Sequence, residues 1–214
     1  MIDSPARKDA ASDARRAWIV GGVLLIAATV FEVIFWPVAW QIPGYAFVGS
    51  LLYAASLLFF AFGIRGSGSV TARRPLGTGA LTFLAAWAIV GDVLWSVVPV
   101  DLDRGLQLVI GTAGPLLEGA VALVAVVQIA RAGAVPRPWN WAPTWALAAI
   151  ATPWVLQLLL AAALPAPPQD LIMMLVTMDS LVRVGSAVFL GVLAIVLAKL
   201  SSRSRTVAIY PVHD

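Results

Sequence analysis

LIMMLVTMDSLVRVGSAVFLGVLAIVLAK, residues 171–199, is an apolar run long enough to cross a lipid bilayer as one helix. About 20 residues rising 1.5 Å each cover the hydrocarbon core. Yet Asp179 and Arg183 sit well inside it. A charge at the centre of a spanning helix costs about 2.5–3.5 kcal/mol on insertion scales, so two are kept only where something offsets that cost. Their spacing of four places them on one helix face, where they pair. Glu32, Asp92 and Glu118 lie inside other apolar runs. The fold class is therefore all-α, a polytopic membrane protein, and its intramembrane polar residues are the handle on function.

Working outward, six runs have spanning length: 17–40, 45–64, 78–98, 107–130, 141–164 and 171–199. They predict one bundle of six transmembrane helices. The breaks between them carry turn chemistry. Gln41-Ile42-Pro43-Gly44 reads as a tight turn, Arg65 to Gly77 as a flexible basic loop, and Pro165, Pro167 and Pro168 as a stiff turn. Residues 1–16 read as a disordered cytoplasmic tail and 200–214 as a mobile cytoplasmic tail, flanking a transmembrane domain over 17–199. The first run is longer than the 7–15 residues of a signal-peptide core, which predicts an uncleaved first span.

Composition agrees. The 214 residues are 61% hydrophobic and 12% charged, with a mean hydropathy of +0.92. A soluble domain carries about 25% charged residues. Cysteine is absent, which excludes disulfides, thiolate metal sites and cysteine nucleophiles. The Ala-, Val-, Leu-, Arg- and Trp-rich usage is that of a high-GC bacterium. Arg7, Lys8, Arg15, Arg16, Arg65, Arg73, Arg74, Arg131, Arg137, Lys199, Arg203 and Arg205 all fall on one side of the six-span arrangement, and only Arg104 on the other. Cytoplasmic loops hold the excess of Lys and Arg. Both termini are thus predicted in the cytoplasm, with the chain multi-pass in the cell (inner) membrane. Basic residues scattered over short loops exclude a nucleic-acid partner.

Depth follows from the helical rise. Counted from the outer boundary, Asp92 lies about 9 Å down, Gln157 about 10 Å, Glu32 about 12 Å, Asp179 about 13 Å and Glu118 about 16 Å, with Arg183 deeper. Polar groups from five helices thus share one layer in the outer half. One reading is a polar cavity that binds or transports a small cation or proton. Glu32, Asp92 and Asp179 would bind it, Glu118 would exchange a proton, and Arg183 would keep Asp179 ionised. The other is an interhelical network that pins the bundle. Trp36, Trp95 and Trp154 sit near these acids, placed either for cation–π attraction or as part of the interfacial aromatic belt. Pro115, three residues before Glu118, frees the Gly111 carbonyl, which marks either a binding-site break or a packing kink.

Two further readings stay open. An intramembrane acid beside aromatic faces could protonate an isoprenoid and stabilise the cation formed. This resembles, in plan only, the small membrane-bound terpene cyclases with their pair of acidic residues; the resemblance implies Glu32 and Asp179 as the catalytic acids. A non-catalytic accessory or sensor subunit is the third reading. The partners implied are the lipid bilayer, a small cationic or lipophilic ligand, and a membrane-protein partner or second copy. No nucleotide-binding loop, metal motif, hydrolase elbow or dinucleotide fingerprint occurs, so neither a cofactor nor a metal is expected.

Overall fold

A computed structural model describes residues 5–35, 45–97, 104–164 and 168–203. Six α-helices make up the fold: α1 (Pro5–Phe35), α2 (Tyr45–Phe62), α3 (Pro75–Val97), α4 (Arg104–Ala132), α5 (Ala142–Ala163) and α6 (Gln169–Arg203), with a 3-10 turn at Trp139–Trp141 before α5. Five contain stretches long and apolar enough to cross a membrane; α2 holds a shorter apolar stretch, Phe47–Phe62. The chain is a helical, multi-pass membrane protein. Leu51, Leu58, Leu159, Met173 and Leu181 point outward from it exposed, which suits a surface solvated by lipid rather than water.

Each helix packs chiefly on its neighbours in sequence, and α6 returns to α1, so the helices form a closed ring. The α1–α6 and α1–α2 seams are the most extensive, and α4–α5 is the loosest helix pair of the ring. Two adjacent glycines make α1 the keystone. Successive helix positions are about 100° apart, so Gly21 and Gly22 face different partners. A Cβ on Gly21 would meet the Phe60 ring of α2 at 2.9 Å, and one on Gly22 would meet the Gly191 carbonyl of α6 at 2.6 Å. Close backbone approach through small residues is how helices associate where lipid competes for every apolar surface. Ser56 adds a hydrogen bond to the Gly21 carbonyl at 2.9 Å.

Several boundaries differ from the sequence expectation. Helix α1 begins at Pro5, so the region read as a disordered tail is a helical extension of the first span from there on. It is anchored: Ala17 is fully buried, Asp13 nearly so, and Ala14 packs under Gly68 of the α2–α3 connection. Helix α6 runs to Arg203, past the expected start of the C-terminal tail. The expected turn at 41–44, the end of the first run at 40 and residues 204–214 lie outside the described residues.

The α2–α3 connection is a built structure, not a flexible loop. Gly63, at φ +68°, ends α2, and its N–H reaches the Phe59 carbonyl at 2.9 Å, a left-handed glycine cap. Ile64 and Ser67 pair in a two-residue bridge. Ser69 donates to the Ala61 carbonyl at 2.6 Å and lies 3.1 Å from the Thr71 hydroxyl, which in turn lies 3.0 Å from that of Thr78 on α3. Trp18 of α1 donates its indole N–H to the Gly68 carbonyl at 2.6 Å. The Gly, Ser and Thr content that reads as flexibility is here spent on satisfying backbone groups.

Candidate functional site

The ring encloses a cavity of about 950 Å³. Its wall is polar toward one end. Glu32 of α1, Ser50 and Tyr53 of α2, Asp92 of α3, Glu118 of α4, and Ser180 and Arg183 of α6 all line it there. Along antiparallel helices that level is followed, in the same direction, by apolar wall: Leu25, Leu57, Leu84, Val126, Ile150 and Leu190. The far end is lined by Trp18, Leu81, Leu197 and two residues of the interhelical connections, Val70 and Val135. Both valines are buried members of the hydrophobic core.

The charged groups are not equivalent. Arg183 Nε donates to Asp179 Oδ2 at 2.8 Å. The arginine is 53% exposed and the aspartate 22%, and it is Arg183 that lines the cavity, with Asp179 behind it. The other Asp179 oxygen, Oδ1, is buried without a hydrogen-bond partner among the described residues. Asp92 accepts a hydrogen bond from the Ser50 hydroxyl across the α2–α3 seam. Glu118 and Arg183 are close enough to interact electrostatically, and Tyr53 feels both. Three carboxylates and one guanidinium thus face a shared space, and that guanidinium is already engaged by a fourth carboxylate outside the wall.

The residues singled out from sequence divide accordingly. Glu32, Asp92, Glu118 and Arg183 line the cavity, whereas Asp179, Trp154 and Gln157 do not. On α5 the wall is Pro143, Ala146, Leu147 and Ile150, and no described residue beyond Ile150 reaches it. Trp36 lies outside the described residues, as does the side chain of Trp95. A catalytic pair of Glu32 and Asp179 is not what faces the space, because Asp179 is turned to Arg183. Helix α4 runs unbroken through Pro115, so the proline opens no broken-helix site. Ser50 and Ser180 join the wall without having been singled out, and Tyr53 joins it too. Ser50 and Tyr53 are three apart, on the same face as Leu57 and Phe60, a periodic polar pair that marks the inward face of α2. Among the described residues no group of three His, Cys, Asp or Glu is placed to hold a metal ion.

No family model matches the chain, and neither a curated protein nor a solved structure matches it.

Proposed function

We propose that this membrane protein binds a small cation-bearing ligand inside its helix ring, at the level of Glu32, Asp92, Glu118 and Arg183. In this reading all six helices cross the cell membrane, both termini are cytoplasmic, and the polar level lies toward the outer face. The observation that carries the proposal is that three carboxylates from three helices line one cavity. Carboxylates kept inside a bundle at a cost in insertion energy mark ligand or ion sites. The one arginine on the wall is held by Asp179, so the wall attracts cations. Tyr53 and Phe60 supply aromatic surface at and below that level, suited to cation–π contact.

The test uses the full chain in lipid nanodiscs with benzyltrimethylammonium and its neutral isostere neopentylbenzene. Saturable thermal stabilisation by the cation alone supports the proposal. Asp92→Asn and Glu118→Gln should each weaken it on the order of tenfold, the effect of losing about 1.4 kcal/mol of ion pairing. Equal binding of the neutral isostere, or undiminished binding in both variants, refutes it.

A further inference from the structure

The cavity is much deeper than a small cation needs. From Asp92 to Leu81 on α3, and from Glu118 to Ile129 on α4, the wall continues for eleven residues; from Arg183 to Leu197 on α6 it continues for fourteen. At 1.5 Å per residue the chamber beneath the polar level is about 16–21 Å long. One leaflet of a bilayer is about 15 Å of hydrocarbon, half of the roughly 30 Å core. The chamber therefore has the depth of one extended lipid chain. Its walls have the matching chemistry. Thr29 and Ser186 sit within a turn of the polar level, and the Thr29 hydroxyl is spent on the Leu25 carbonyl at 3.0 Å. Below them the lining is hydrocarbon and aromatic.

The far end is equally defined. Val70 is fixed by its own N–H to the Phe60 carbonyl at 2.9 Å, and its loop is held down by Trp18. A chamber of this kind offers water no partners, and apolar cavities of protein-ligand size stay dry or take apolar guests. Its volume is that of a site for one drug-sized molecule, which suits one chain and not a two-chain phospholipid.

We infer that the ligand is a single-chain cationic amphiphile, its charged end among Glu32, Asp92 and Glu118 and its alkyl chain running inward to the floor made by Val70 and Val135. The inference rests on the cation-binding reading and adds the chain to it.

The probes are n-alkyltrimethylammonium ions of increasing chain length and the matching n-alkanols. Binding to the full chain in nanodiscs is referred to the free aqueous concentration after dialysis. Affinity should rise about fourfold per methylene and stop rising at the length that meets the floor. Ala187 lines the wall one turn below Arg183, so Ala187→Phe should bring that limit to much shorter chains while short cations bind as before. Val135→Ala, at the floor, should move the limit to longer chains. Short cations that bind with no dependence on chain length, or a limit unmoved in both variants, overturn the chain inference and leave the cation reading standing. Alkanols that bind as tightly as the ammonium series and stop at the same limit overturn the cation reading, and with it the proposed ligand class, while the chamber stands. Binding by no member of either series overturns both.

Discussion

The same substitution at two glycines of α6 should have opposite effects. A Cβ on Gly191 would lie 2.6 Å from Ile26 Cγ1 and 2.8 Å from the Gly22 carbonyl oxygen, whereas a Cβ on Gly185 would meet nothing within 4 Å. The carbonyl belongs to the α1 backbone, so no rotamer change relieves the contact. The helices must separate by roughly half an ångström or more, and the small-residue seam around Ala194 and Ala198 opens with them. Overpacking of this kind costs about 1–3 kcal/mol. Against it stands the helix-propensity gain of Gly→Ala, about 0.8–1.0 kcal/mol in soluble hosts, which is common to both sites and cancels in their difference. Gly185→Ala should therefore be stabilised by up to about 1 kcal/mol and Gly191→Ala should fall about 1–3 kcal/mol below it. The assay is reversible unfolding in mixed micelles by titration with dodecyl sulfate, followed by tryptophan fluorescence. Gly22→Ala combined with Gly191→Ala should cost less than the sum of the two, because the helices are already apart when the second methyl is added. Equal stability of Gly191→Ala and Gly185→Ala would refute the ring closure as described.

The Asp179–Arg183 pair should prove weak. It spans four residues of one helix with its arginine half exposed, so a double-mutant cycle of Asp179→Asn and Arg183→Gln in the same assay should give about 0.6 kcal/mol of coupling, the average for polar pairs between membrane helices. Arg183→Gln should be the costlier single change, since it takes the strong donor from an aspartate whose other oxygen has no partner among the described residues; a coupling near 3–5 kcal/mol would mean a sealed ion pair instead. Trp18→Phe removes the 2.6 Å hydrogen bond to Gly68. The loss of about 1 kcal/mol should open the α2–α3 connection about fivefold more often and speed tryptic cleavage at Arg65 and Arg73 in proportion; an unchanged cleavage rate would show that the indole does not hold the loop.

A residue count along this chain carries position on the helix axis and nothing about azimuth. Counting 1.5 Å per residue assigns an expected level to Glu32, Asp92, Glu118 and Gln157. It cannot give the side each faces. In a water-soluble helix the apolar stripe marks the inward face; here both faces are apolar, and that marker is lost. Glu118 and Gln157 are therefore alike in sequence, yet one lines the cavity and the other does not. Asp179 and Arg183 are a different case, since spacing alone pairs them but does not say which of the two reaches the open space. The α2–α3 connection misled for a third reason. Its order comes from hydroxyl pairs such as Ser69 with Thr71 and from a tryptophan 50 residues away, and composition does not encode partners. The helical start at Pro5 had a local signal, proline at a first helical turn, which the charge-rich composition of residues 1–16 obscured.

The seam that closes the ring joins α1 to α6, and the two are made far apart in time. Gly22 leaves the ribosome about 170 positions before Gly191, so at roughly 5–20 residues per second α1 waits on the order of 10–30 s for its partner. Throughout that interval its glycine face is open in the lipid, a ready acceptor for any other helix with small residues. The cavity does not exist until α6 has been made. A chain stopped before α6 would retain five helices and every carboxylate of the polar level, yet would hold an open groove that lipid fills.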